Sequence, residues 1–136
     1  MSGVLRLYSE TTKSIRITVD TTFLEEHSSP VESHYVWAYE VKIENLGEVK
    51  VQLINRTWSI TDSYGQTQIV KGSGVVGEQP ILEPGASFKY TSGTPLKTPS
   101  GVMVGFYEMA DDKGAAFDVK VPAFSLDSPH QPRQLN

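Results

Sequence analysis

From Tyr35 to Glu44 the sequence runs with a period of two. Tyr35, Trp37, Tyr39, Val41 and Ile43 share one parity, and Val36, Ala38, Glu40, Lys42 and Glu44 the other. A period of two sends alternate side chains to opposite faces of a strand. Three aromatic rings on one side mark that face as the centre of a core. The same signature begins earlier, where Ile15, Ile17 and Val19 alternate with Ser14, Arg16, Thr18 and Asp20, and Thr21 to Phe23 extend the strand. Between the two, the polar run from Glu25 to Ser33 carries Pro30 and reads as a loop.

Further along, turn chemistry separates short strands. Asn45-Leu46-Gly47-Glu48 is a turn, and Val49, Val51 and Leu53 resume the alternation. The phase then slips, because Trp58 and Ile60 are even-numbered where Val51 and Leu53 are odd. A slip of one residue turns every side chain to the other face. A β-bulge near Asn55-Arg56-Thr57 repairs it; a strand break or a change of sheet is the rival reading. Asp62-Ser63-Tyr64-Gly65 and Asp111-Asp112-Lys113-Gly114 read as hairpin turns. Pro84-Gly85 favours a type II turn. Thr67 to Lys71 and Ser87 to Thr91 are strands, the latter with Phe88 and Tyr90 inward, and the two prolines between Thr94 and Gly101 indicate a loop. Val102 to Met109 is apolar on both faces, which predicts a central strand. Phe117, Val119 and Val121 form the last strand, ending at Pro122. Residues 1 to 12 carry few signals and read as a tail or lead-in, and the polar ending from Ser128 as a loose tail.

No amphipathic helical stretch of ten residues interrupts this pattern. The expected fold is therefore all-β, an immunoglobulin/fibronectin type III-like β-sandwich of seven to eight antiparallel strands. It forms one domain over residues 7–131, with flexible tails at 1–6 and 132–136. The Cys…Trp…Cys spacing of antibody domains is missing, because the chain has no cysteine. That also excludes disulfides and thiolate metal sites and fits a reducing, cytoplasmic setting. The formal net charge is -4 with Lys and Arg scattered among acids, so no basic stripe suits nucleic acid. The first apolar run is too short for a signal peptide, and nothing approaches the ~20 apolar residues of a membrane span.

The candidate site is Lys71-Gly72-Ser73-Gly74-Val75-Val76-Gly77-Glu78. Gly72-x-Gly74-x-x-Gly77 matches the dinucleotide fingerprint as a string. A nucleotide-binding unit needs a helix after it and an acid about twenty residues on. Pro80, Pro84 and Gly85 interrupt any helix, and Lys97 stands about where the acid belongs. Two readings stay open. The stretch is an inter-strand crossing pinned to the core by its valines, or an anion nest of backbone N–H groups with charge from Lys71. His27 and His34 with Glu25, Glu26 and Glu32 read as a solvated acidic loop rather than a metal site, and His130 has no evident partner. No nucleophile elbow is present, so no catalytic residue is assigned. Arg56 and Trp58 are candidate contact residues if the phase slip exposes them, since both types are enriched at binding hot spots.

Several of these motifs agree in order and spacing with one family. Tyr35-Val36-Trp37-Ala38-Tyr39, Ile43-Glu44-Asn45-Leu46-Gly47, Val51-Gln52-Leu53, Arg56-x-Trp58-x-Ile60-Thr61-Asp62, the glycine stretch to Pro80, Pro84-Gly85, Tyr90-Thr91-Ser92-Gly93, Tyr107-Glu108-Met109 and Val121-Pro122-Ala123-Phe124 carry the likeness. Over residues 13 to 126 the chain resembles the bacterial ApaG (CorD-like) proteins. The resemblance implies an immunoglobulin or fibronectin-type sandwich and imports no established reaction. It implies a pyrophosphate site that maps onto Gly72, Gly74 and Gly77, and an association with diadenosine tetraphosphate metabolism, cobalt resistance and magnesium efflux. Related domains in F-box and polymerase-interacting proteins imply protein–protein contact. Thr57 and Phe106 depart from the family pattern, and neither offers a ligand group. The expectation is a non-enzymatic module without cofactor, binding an unknown protein partner or a second copy of itself at an exposed sheet edge. The alternative is a sensor of pyrophosphate or a nucleotide at Lys71, Gly72, Ser73, Gly74 and Gly77.

Overall fold

The computed structural model describes residues 7–131. Among these residues nine strands follow one another: β1 (Leu7–Thr12), β2 (Ile15–Phe23), β3 (Tyr35–Asn45), β4 (Val51–Asp62), β5 (Thr67–Ser73), β6 (Ile81–Leu82), β7 (Ser87–Leu96), β8 (Gly101–Asp111) and β9 (Ala116–Leu126). They form two antiparallel sheets, one in the order β1-β2-β3-β7 and the other β5-β4-β8-β9, with short β6 paired to β4. The sheets pack as a β-sandwich, and the expected fold class holds. The tails expected at 1–6 and 132–136 lie outside the described residues.

The alternation read in β3 is the alternation of burial. Tyr35, Trp37, Tyr39, Val41 and Ile43 are all buried. They face β4, β8 and β9 through a core that also holds Trp58, Tyr107, Met109 and Phe124. The phase slip in β4 is a bulge between Leu53 and Asn55, just before the expected position. It puts Val51 and Leu53 on the same face as Trp58 and Ile60, so both halves of β4 bury their apolar residues. The two hairpin turns share one mechanism. Asp62 Oδ1 accepts from the amides of Tyr64 and Gln66, and Asp111 Oδ1 from those of Lys113 and Ala115.

Four boundaries differ from expectation. Leu7–Thr12 is not a lead-in but an edge strand paired with β2, its side chains half-buried on alternate positions. β7 runs through Pro95 to Leu96, and β9 through Pro122 to Leu126. A proline is tolerated in a sheet where its nitrogen faces away from the ladder or where the ladder is broken. Pro95 lies on an edge strand, and Pro122 lies where β8–β9 pairing shifts register between Met103 and Gly105. The segment from Ser128 is not loose at its start: Ser128 is buried and donates to the Pro99 carbonyl at 2.6 Å, while Trp37 Nε1 donates to Asp127 at 2.7 Å. β8 is central, as expected, between β4 and β9. Yet, among the described residues, only one of its two apolar faces is covered.

Candidate functional site

The three glycines of the central stretch have three different structural reasons. Gly72 lies beneath the Arg56 side chain; a Cβ there would stand 2.9 Å from Cζ and from both terminal nitrogens of the guanidinium. The guanidinium therefore stacks flat on the Gly72 backbone. Its Nη1 donates to the carbonyls of Ser73 and Gly74, at 2.9 Å each. Gly74 has φ +63° and no room for a side chain against the Glu78 carbonyl. Gly77, at φ +81°, follows Val76 at φ +43°, and the pair forms a two-residue turn closed by reciprocal bonds between Val75 and Glu78. Positive φ at both central positions is the geometry of the type I′ hairpin. It is strained for a β-branched residue such as Val76, which points its side chain into solvent.

The stretch is thus a small hairpin at the end of β5, with buried Val75 pinning it to the core. The amides of Gly74, Val75 and Glu78 donate to the carbonyls of Ile54, Glu78 and Val75. Those donors are turned inward rather than toward a bound anion. Arg56, Gly72, Ser73 and Gly74 come together. Lys71 does not join them: it pairs with Thr57 on the other face of the sheet, away from Arg56.

Trp58 is 3 % exposed, so it is no surface contact residue. Its indole meets Tyr39, Tyr107 and Phe124 edge-on at ring separations of 5.7, 6.1 and 6.0 Å. Gly105, its register partner in β8, makes this possible, because a Cβ there would stand 2.5 Å from the indole and 2.6 Å from the Thr57 carbonyl. Arg56 sits at the open side of this core. Around it lie the phenols of Tyr39, Tyr90 and Tyr107, the last two hydrogen-bonded to each other at 2.5 Å. Burial pushes all three phenols above their ordinary pKa, against a weaker opposing pull from the Arg56 charge. They stay protonated at neutral pH and act as hydrogen-bonding groups.

The acidic loop shows no metal centre: among the described residues no group of three or more His, Cys, Asp or Glu side chains is placed to hold an ion. His130, for which the sequence suggested no partner, bonds Glu25 at 2.9 Å and packs its ring against Phe23 and Tyr35.

What the sequence did not single out is the outer face of the five-stranded sheet. Ile69 of β5 and Val104 of β8 both pair with Ser59 of β4, and Lys71 and Phe106 both pair with Thr57. Val102 adds to the same face opposite Thr61. Ile69 is 54 % exposed and Phe106 38 %, and Val102 and Val104 fall between. The signal was present in the even-numbered apolar residues of β8, but apolarity on both faces was read as burial on both.

Comparison with known proteins places this architecture. Residues 25–111 match the model of the ApaG domain. The ApaG protein of Paramagnetospirillum magneticum is 58% identical over 130 residues, covering 96% of this chain and all of that protein. That of Brucella suis biovar 1 is 55% identical over the same share of both. Among solved structures, the ApaA protein of Bordetella pertussis superposes with a TM-score of 0.83 at 43% identity, covering 86% of this chain and 95% of the other. With the ApaG model matched over residues 25–111 and relatives more than half identical over nearly the full chain, this chain belongs to the ApaG family.

Proposed function

We propose that this ApaG-family sandwich is a non-enzymatic module that binds another protein through the outer face of its five-stranded sheet. The observation that supports this reading is the set of exposed apolar side chains, Val102, Val104 and Phe106 on β8 and Ile69 on β5, on one face with the hydroxyls of β4 between them. Contiguous exposed apolar surface of this kind marks interaction sites. The association with cobalt resistance and magnesium efflux then acts through the partner, since the described residues hold no cluster suited to an ion. The test is a partner that binds the purified chain saturably. Phe106→Asp weakens that binding about tenfold or more, with stability changed by only about 0.5 kcal/mol. A partner whose affinity is indifferent to Phe106 and Val104 contradicts this reading.

A second reading rests on Arg56. Its guanidinium lies against the glycine hairpin with main-chain carbonyl partners, and among the described residues no carboxylate lies within ion-pair distance. Such a cation suits a pyrophosphate or nucleotide. Titration with pyrophosphate, ATP and diadenosine tetraphosphate separates the readings. Saturable amide shifts confined to residues 71–78, lost in Arg56→Gln, favour the anion; no shift at millimolar ligand removes it.

A further inference from the structure

The sandwich closes on one side and stays open on the other. β1 meets β9, with the Lys120 amide donating to Thr12 Oγ1 at 3.3 Å. On the far side β5 and β7 end their sheets, each paired with a single strand. A groove of about 440 Å³ runs between them, lined by Ile60, Thr67 and Gln68 on one wall and by Pro95, Leu96 and Lys97 on the other.

The two edges are not equivalent. In an antiparallel pair, hydrogen-bonded and non-bonded residue pairs alternate. Gly74 donates to Ile54, and Asp62 donates to Gln66, so the even-numbered residues of β5 bond β4. The N–H and C=O groups of Thr67, Ile69 and Lys71 therefore point outward from the sheet. In β7 the amide of Asn45 donates to Ala86, so even residues bond β3 and odd ones face out. The outward set there includes Pro95, which has no N–H, and Lys89. Proline and lysine are the residues that blunt sheet edges. On β5 the first blunting residue is Lys71. Beyond it the edge is sealed, because Arg56 holds the outward carbonyl of Ser73 and the hairpin folds over.

We infer that the β5 edge from Thr67 to Lys71 accepts an extended segment of a partner protein, in which four apolar residues, beside Thr67 to Val70, are flanked by acids beside Gln66 and Lys71. This rests on the interaction reading above and supplies its mode. A residue added beside Ile69 lies on the outer face and extends its apolar row. Residues added beside Gln68 and Val70 face the groove, toward Ile60 and Leu96. The ends meet Lys71 on the outer face and Lys97 on the groove wall, both exposed and, among the described residues, without a carboxylate within ion-pair distance. Charge complementarity thus selects acids at the two ends. A second copy offers no such acids, since pairing β5 with itself about Ile69 sets each Lys71 beside Thr67 of the other copy.

The test uses the full chain and two blocked synthetic peptides, each with four consecutive valines, flanked by glutamates in one and by lysines in the other. The glutamate peptide is expected to bind saturably and the lysine peptide about tenfold more weakly or not at all. Binding slows hydrogen exchange at the amides of Thr67, Ile69 and Lys71, which exchange fast in the free protein, whereas Gln68 and Val70 are already slow. Ile69→Pro removes one outward N–H and leaves the ladder to β4 intact, so the fold persists and binding falls about tenfold. Ile69→Ala separates the side chain from the amide and keeps most of the binding. No binding of the glutamate peptide at millimolar concentration overturns the inference, as does equal binding of the lysine peptide or indifference to Ile69→Pro. Self-association abolished by Ile69→Pro assigns the edge to a second copy and overturns the acidic strand. A protein partner lost with Phe106→Asp but kept with Ile69→Pro overturns strand addition alone. A partner kept with both removes the interaction reading itself.

Discussion

The sandwich has two outer faces, built from the same alternation and finished differently. On the four-stranded sheet the outward positions carry charge. Arg16 pairs with Glu44 through two bonds of 3.0 Å, Lys42 stands 3.8 Å from Glu44, and Lys89 stands 3.9 Å from Glu40. Arg16 faces Glu44 across β2 and β3, Lys42 stands two residues from Glu44 on the same face of β3, and Lys89 reaches Glu40 diagonally from β7. On the five-stranded sheet the equivalent positions hold Ile69, Val102, Val104 and Phe106, with hydroxyls between them on β4. An antiparallel sheet covered on one side leaves the other for water. The first face is dressed for water and the second is not. Exposed surface is never wholly polar, but four large apolar side chains on the strands either side of β4 set the second face apart.

If the apolar outer residues serve contact rather than packing, their removal costs little stability while their inward neighbours cost much. The largest effect is expected at Trp58, which pairs beside Phe106 but points the other way. Trp58→Ala lowers stability by about 3–5 kcal/mol in a denaturant titration. Next comes the interior the two sheets share. Tyr39, Tyr90 and Tyr107 have folded-state pKa values raised by burial. Above about pH 10 the unfolded chain sheds these protons while the fold keeps them, so stability falls with rising pH. The slope is at most about 1.4 kcal/mol per pH unit for each tyrosine; Tyr90→Phe flattens it, while a pH-independent stability between pH 10 and 11 contradicts the buried pair. Phe106→Asp changes stability by only about 0.5 kcal/mol, yet weakens the partner about tenfold; a large loss of stability makes Phe106 a packing residue and dissolves the contrast between the faces. The smallest effect belongs to the charged face. The Glu44 carboxyl is held below its usual range chiefly by its hydrogen bonds to Arg16. That contribution is present above the ordinary carboxylate pKa and is lost as pH falls through the lowered one. Glu44→Gln therefore removes a little of the acid-side loss in stability and leaves partner binding unchanged.

The fold was legible wherever side-chain parity and turn chemistry agreed. Tyr35 to Ile43 predicted its own burial, the slip before Trp58 required a bulge, a break or a change of sheet and is a bulge, and Asp62 and Asp111 predicted their turns. Parity fails where a strand has nothing strong to alternate. Leu7 to Thr12 is an edge strand of half-buried residues, and its sequence carries no clear apolar face. Proline misled twice, because whether it ends a strand depends on which way its nitrogen points, and that is set by pairing. The glycine hairpin shows the limit for sites. Spacing located the motif, but Arg56 stacks on Gly72 across strands and Lys71 is turned to the opposite face, both set by the β4–β5 register. The outer apolar face was written in β8 and β5, but only the stacking order shows that, among the described residues, no layer covers it.

The most direct test is an amide hydrogen-exchange footprint of the chain with and without a saturating protein partner. Slowed exchange at Thr67, Ile69 and Lys71, with Val104 and Phe106 side-chain signals shifted and the residues around Glu44 untouched, is the predicted result. Changes confined to residues 71–78, or centred on the Arg16–Glu44 face, would contradict the assignment of the contact surface.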